Sequence, residues 1–328
     1  MKKLLKILAY LLLLLIVLAG AFLTYIKTAL PDVGVAEDVK IEITPERVER
    51  GRYLANSVCV CIDCHSTRDW SKFSGPITEG TFGKGGDRFD QTVGMPGIFY
   101  AKNITPEGIR RYTDGELVRV ITTGVNKDGR AMFPLMPFLY YGKMDSEDIY
   151  SIIAYVRTLE PIKSEVPESV ADFPMNFVIN TIPKKATPQQ RPDPSDQLAY
   201  GAYMVNASGC VECHTQVDKG QIIPELSFGG GREFGFPDGA VVRSSNITSD
   251  QETGIGRWTK EQFLARFKIF GDSTYTPPTV KPGEYNTIMP WTMYSKMKEE
   301  DLSSIFAYLQ TIDPIVNKVT IYTAAPAP

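Results

Sequence analysis

The chain has 328 residues, 43% of them hydrophobic, which is enough for about two ordinary domains, each with its own core. The first 30 residues hold four Lys and no acid, so the remainder carries 31 basic and 38 acidic residues, net −7, which argues against a nucleic-acid binder. Only five Cys and two His are present, so any metal or cofactor site must be built from that short set.

Residues 1–30 read first as a membrane anchor. Lys2, Lys3 and Lys6 precede an uninterrupted apolar run from Ile7 to Ile26. Such a run is long enough to cross the hydrocarbon of a bilayer as one helix. The lysines assign its start to the cytoplasm and send the body outward. The expected location is the cytoplasmic (inner) membrane, single-pass, with the soluble domains on the periplasmic side. A cleaved signal peptide ending near Ala19-Gly20-Ala21 is the alternative, but apolar Phe22–Ile26 would then lie beyond the cut.

Two copies of one pattern follow. "GRYLANSVCVCIDCH" (51–65) matches "GAYMVNASGCVECH" (201–214), with one extra residue in the first copy. "NITPEGIRRYT" (103–113) matches "NITSDQETGIGRWT" (246–259). "MPFLYYGKMDSEDIYSIIAYVRTLEPI" (136–162) matches "MPWTMYSKMKEEDLSSIFAYLQTIDPI" (289–315) without a gap. Three blocks in one order mark a duplicated domain. The expected division is a first domain over 31–162, a linker over 163–196, a second domain over 197–318 and a tail over 319–328. "PKKATPQQRPDPSD", inside the linker, is Pro-rich and polar and predicts an extended segment.

Each copy reads as helical. Thr44-Pro45-Glu46 has the N-cap and first-turn chemistry of a helix start. Thr113-x-x-Glu116 and Thr259-x-x-Gln262 are capping boxes at matching positions. Ile149, Ile152, Ile153, Val156 and Leu159 form a helical stripe, repeated by Leu302, Ile305, Phe306 and Leu309. No stretch alternates convincingly as a strand. Gly-rich loops such as "TFGKGGDRF" and "FGGGREFGF" lie between the cysteines and the NIT blocks. The prediction is an all-α protein, a few helices on long loops in each copy, with a thin core that something must fill.

Both copies contain C-x-x-C-H: Cys61, Cys64 and His65, then Cys210, Cys213 and His214. This spacing is that of c-type haem attachment, in which two thiols add to the haem vinyl groups and the adjacent His reaches the iron. The prediction is two covalently bound haem c groups. Zinc held by Cys59, Cys61, Cys64 and His65 is a weaker reading, because the second copy lacks a third Cys. A redox disulfide needs a strand–helix setting that the sequence lacks. Cys59 has no counterpart in the second motif and reads as an unpaired loop thiol, with an intermolecular disulfide and an iron-bound thiolate as open alternatives.

With both His spent, the second axial ligand must be Met, Lys, Cys or water. The repeat selects Met136 and Met289, each before a Pro, 71 residues after His65 and 75 after His214. A thioether is neutral and soft, favours Fe(II) and raises the potential, which suits an electron carrier. The competing reading of Met as core filler applies better to the aligned pair Met144 and Met297. Asn103-Ile104-Thr105 and Asn246-Ile247-Thr248 match a glycosylation sequon, but their place in the repeat favours a loop-shaping role.

The chain resembles the cytochrome c subunits of bacterial membrane-bound alcohol and gluconate dehydrogenases. The likeness rests on C-x-x-C-H, the "NIT…GIGRWT" block, the Met-Pro loop and the "DLSSIFAYLQTI" helix, over roughly 45–162 and 200–315. It implies two tandem class I-like cytochrome c domains, His/Met haem, and electron transfer from a dehydrogenase towards a terminal oxidase or cytochrome acceptor. It supports Cys61, Cys64, His65 and Met136, then Cys210, Cys213, His214 and Met289, in those roles. Those subunits commonly carry three haem domains, whereas this chain has two motifs. The expected function is a membrane-anchored dihaem electron carrier that docks redox proteins and holds lipid through its first helix. A dihaem redox enzyme, peroxidase-like or thiosulfate-oxidising, is the alternative; a peroxidase haem needs an open distal site and acid–base groups, with no His left to supply them, and a Cys-ligated catalytic haem would need Cys59.

Overall fold

The computed structural model describes residues 1–281 and 283–325; the last three positions of the expected tail lie outside the described residues. The structure is helix-rich. Helix α1 (Lys2–Ala29) is long and apolar enough to cross a membrane, and its apolar window is not buried in the protein.

The first copy contributes α2 (Pro45–Tyr53), α3 (Cys61–Cys64), α4 (Pro106–Ile109), α5 (Asp114–Thr123), α6 (Phe138–Tyr141) and α7 (Ser146–Val156). After α8 (Met175–Val178), the second copy supplies α9 (Gln197–Ala207), α10 (Cys210–Cys213), α11 (Lys260–Lys268), α12 (Trp291–Tyr294) and α13 (Glu299–Leu309). Thr44 caps α2 through the Arg47 N–H, and both capping boxes form, at Thr113/Glu116 and Thr259/Gln262. Helix α2 packs on α7, and α9 packs on α13 in the same way. Glycine makes both crossings close: a Cβ at Gly51 would stand 1.8 Å from the Ser151 carbonyl oxygen, and one at Gly201 would stand 2.0 Å from that of Ser304.

The extra residue of the first copy has a structural form. Helix α2 runs into a π-helical turn, Leu54–Val58, where the Cys59 N–H reaches the Leu54 carbonyl at 2.8 Å. A one-residue insertion is absorbed by widening the helix for one turn. The two copies then rejoin register at the motif. Val60 and Gly209, just before Cys61 and Cys210, both adopt left-handed backbone.

Strands exist, contrary to the all-α expectation, but they are short. β1 (Arg88–Phe89), β2 (Gly97–Tyr100) and β3 (Val170–Ala171) form one antiparallel sheet, and β4 (Val217–Asp218) pairs with β5 (Gln221–Ile222). β6 (Glu233–Gly235), β7 (Val241–Arg243) and β8 (Tyr322–Thr323) form a third. Runs of two to four residues are too short to show alternation in a sequence.

The segment expected to be a linker contains α8, runs without helix or strand over 183–193, and is not free. β3 pairs with β2 of the first copy, the Thr187 N–H reaches the Gly142 carbonyl at 2.8 Å, and Arg191 pairs with Asp148 at 2.7 Å. The tail likewise adds β8 to β7.

The copies were expected to hold separate cores. Instead their buried apolar residues form one continuous cluster, from Ile41 through Ile152 and Met204 to Leu309. A reciprocal polar clasp lies across it. Tyr53 of the first copy donates a hydrogen bond to Asp301 of the second, and its oxygen accepts from the Lys298 N–H at 3.0 Å. Tyr203 of the second donates to Asp148 of the first at 2.7 Å, and its oxygen accepts from the Asp145 N–H at 3.2 Å. These six groups occupy corresponding positions of the repeat, so the copies face each other about an approximate two-fold axis.

Candidate functional site

Each C-x-x-C forms a single helical turn, α3 or α10, with the following His N–H bonded back to the first Cys carbonyl, at 3.0 Å for His65 and 2.9 Å for His214. Residues three apart share one helix face, so both thiols of a motif point the same way. Cys61 and Cys210 are half-buried, and Cys64 and Cys213 are exposed. Burial nonetheless pushes Cys61, Cys64 and Cys210 each up to about 12 and raises Cys213. At neutral pH all four are thiols, not thiolates.

The two imidazoles are held identically. His65 Nδ1 lies 2.6 Å from the Lys102 carbonyl oxygen, and His214 Nδ1 lies 2.8 Å from that of Ser245. A carbonyl only accepts, so Nδ1 carries the proton and Nε2 keeps a free lone pair. Burial lowers both His pKa values, against the raising effect of the carbonyl bond. The carbonyls come from the residues just before the NIT blocks. Asn103 accepts from the Thr105 N–H at 2.9 Å and donates to the Ile162 carbonyl at 2.7 Å. Asn246 does the same with Thr248 at 3.0 Å and Ile315 at 2.6 Å. Both Asn side chains are buried and engaged, which is the loop-shaping role rather than that of a glycosylated surface. Gly85 and Gly230 return the loops to the His65 and His214 carbonyls, both at 2.8 Å, with positive φ; a Cβ at either would strike backbone.

Met136 and Met289 each precede a tight turn. The Phe138 N–H bonds to the Met136 carbonyl at 2.7 Å, and the Trp291 N–H bonds to that of Met289 at 2.8 Å. Pro137 (φ −77°, ψ 54°) and Pro290 (φ −80°, ψ 64°) have inverse γ-turn geometry, which the proline ring pre-sets. Both Met side chains are half-buried, whereas Met144 and Met297 are each 1% exposed and fully packed. Sequence reasoning missed the tyrosines behind these turns, although Tyr141 and Tyr294 align. Tyr141 donates to the Cys59 carbonyl at 2.9 Å, and Tyr294 donates to the Ser208 carbonyl at 2.8 Å. Each ties a Met-Pro helix to the residues entering a Cys motif. Also missed were the ion pairs that brace the motif acids, Asp63–Arg68 at 2.9 Å and Glu212–Arg232 at 3.5 Å. Burial raises Asp63 to about 6, with Arg68 opposing that shift.

Cys59 is 4% exposed, with Sγ 4.0 Å from Met144 Sδ, and burial raises its pKa well above the ordinary thiol value. It occupies the place of Ser208 in the second copy and is a core thiol, out of reach of a second chain. Among the described residues, no three His, Cys, Asp or Glu side chains gather as a metal ion would require.

No family model matches the chain. Curated relatives match most of it. The cytochrome c subunit of the alcohol dehydrogenase (quinone) of Gluconacetobacter polyoxogenes is 26% identical over 301 residues, covering 85% of this chain and 59% of the relative. The gluconate 2-dehydrogenase cytochrome c subunit of Pantoea cypripedii is 25% identical, covering 84% and 62%. The fructose dehydrogenase cytochrome subunit of Gluconobacter japonicus is 26% identical, covering 81% and 52%. The chain therefore spans about three fifths or less of the length of these relatives. It is similar to dehydrogenase cytochrome c subunits, as its motifs implied.

Proposed function

We propose that the chain is a membrane-anchored dihaem cytochrome c that passes single electrons between a dehydrogenase donor and a terminal acceptor, without substrate chemistry of its own. The observation that carries this reading is the twofold recurrence of one arrangement. Two thiols stand on one turn, and the next residue is a His whose Nδ1 is tied to a backbone carbonyl and whose Nε2 is free.

The side chains suit covalently held haem. Cys61 and Cys64 would carry one group and Cys210 and Cys213 the other, with His65 and His214 as proximal ligands. Met136 and Met289 are the distal candidates, because the other aligned pair, Met144 and Met297, is sealed in the core. When bound, haem would supply the one-electron couple, and a thioether from Met136 or Met289 would favour its reduced state. The chain's own work is orientation and insulation. The Lys102 and Ser245 carbonyls fix each ring and its tautomer, and a carbonyl partner raises the basicity of the opposite nitrogen. The γ-turns at Pro137 and Pro290 fix the backbone beside each Met.

We assign 31–162 and 197–318 to two tandem cytochrome c domains, supported by the matching α2–α7 and α9–α13 pairs. Helix α1 is assigned to the cytoplasmic membrane, with the haem domains on the periplasmic side, supported by its length, hydropathy and leading lysines. Low-temperature electron paramagnetic resonance of the oxidised protein tests the carrier function. Two low-spin His/Met signals are expected; a high-spin signal from either iron would contradict it and favour an enzyme with an open distal site.

A further inference from the structure

We propose that residues 170–182, which connect the two copies, form a second membrane contact, seated at headgroup depth beside the end of α1; this rests on the reading of α1 as a membrane span. The apolar run Ile7–Ile26 has 20 residues. At about 1.5 Å per residue that is about 30 Å, the thickness of the hydrocarbon layer. Ile26 and Lys27 therefore stand at its edge, on the side of the folded body.

That is where the connecting segment meets the helix. Ile26 is the buried residue of α1, and α8 and the turn after it, Ile179–Thr181, pack against α1. Lys27 Nζ donates to the Asn176 carbonyl at 2.8 Å and lies 4.9 Å from the centre of the Phe177 ring. Phe173 meets Phe177 edge-on, with ring centres 6.4 Å apart. The depth of these side chains is thus set by that of Lys27.

Their exposure matches an interface and not bulk water. Phe173 is 80% exposed and Val178 41% exposed, and Tyr25 and Phe22 near the end of α1 are exposed as well. Lys184 and Lys185 follow and are both exposed. Aromatic rings at the edge of the hydrocarbon, followed in the chain by exposed lysines, fit a lipid surface carrying phosphate. The segment is not a loose tether, because β3 pairs with β2 through Val170↔Ile98 and Ala171↔Gly97. Two attachments, α1 and this patch, then hold the first copy in one orientation towards the bilayer.

The test uses the full chain in nanodiscs of phosphatidylethanolamine and phosphatidylglycerol. Phe173 is replaced by the photo-crosslinker p-benzoylphenylalanine and, in a separate sample, Leu12 is replaced in the same way. Mass spectrometry after illumination should find lipid adducts at both positions. Adducts at position 12 alone would overturn the second contact and leave the anchor standing. Adducts at neither would overturn the anchor reading as well. A crosslink from position 173 into a second copy of the chain, without lipid, would assign the patch to a protein interface and also overturn the proposal. If the position-173 protein fails to fold, the same probe at Val178 gives the same decision.

Discussion

The hydroxyl of Ser74 donates a 2.6 Å hydrogen bond to the carbonyl of Met289, and its oxygen accepts from the Trp291 N–H at 3.1 Å. Ser74 belongs to the first copy and Met289 to the second. The same loop adds the Phe73 N–H to the Pro278 carbonyl at 2.9 Å, and Asn286 accepts from the Ser74 N–H at 2.9 Å. A loop that begins just after His65 thus braces the turn that carries Met289 of the other copy.

Ser74→Gly is therefore expected to disturb one haem only. Ser74 has φ 63°, which glycine adopts without strain, so the variant removes the hydroxyl and spares the backbone. Losing this buried bridge should loosen the Met289 turn by about 1–3 kcal/mol. Spectroelectrochemistry should show one midpoint potential shifted and the other unchanged, with a weaker thioether–iron charge-transfer band. Equal shifts in both would refute the brace.

Met136→His and Met289→His should each lower one midpoint potential, and different ones, because imidazole gives up the soft thioether's preference for Fe(II). If neither substitution moved a potential, the distal assignment would fail.

The clasp makes a stability prediction with a pH signature. Asp148 is buried, pairs with Arg50 at 2.8 Å and Arg191 at 2.7 Å, and accepts from Tyr203. Burial pushes its carboxyl up, but the Arg50 hydrogen bonds and charge, the Tyr203 bond and the Arg191 charge outweigh burial and hold it below the usual carboxylate value. A depressed folded pKa stabilises fully above the unfolded value of about 3.9, and the effect is lost as pH falls through the folded value. In urea titrations, the stability gap between the native chain and Asp148→Asn should be constant near neutral pH and shrink below about pH 4. A gap independent of pH down to about 2 would refute the carboxylate's role.

Gly51→Ala and Gly201→Ala should each destabilise the protein by about 1–3 kcal/mol, since the added carbon meets backbone that must move. Thermal unfolding measures this, and an unchanged Tm in either variant would contradict the close crossing.

Much of the helical scaffold was legible because its signals are local. Capping boxes, a Thr-Pro start and an apolar stripe act within a turn or two, and α2, α5, α7, α11 and α13 formed where those signals lay. Leu159 of the stripe falls beyond the end of α7 at Val156. The Cys motifs were equally legible, because residue type and spacing carry their chemistry. The carbonyls that orient the imidazoles were not, because a backbone oxygen has no residue signature and Lys102 lies 37 positions from His65. Tyr203–Asp148 and Ser74–Met289 join residues 55 and 215 positions apart, and single-sequence patterning is blind at such range. The connecting segment was half legible: its prolines foretold extension, but its docking depends on β2 and Lys27.

Intact mass of the denatured chain, made in cells competent in cytochrome maturation, tests the central claim most directly. Thioether links survive denaturation, so the chain should carry the added mass of two haem groups. The paired substitution Cys61→Ala with Cys64→Ala should leave the mass of one. A native chain with the mass of bare polypeptide, or of a single haem, would contradict the account.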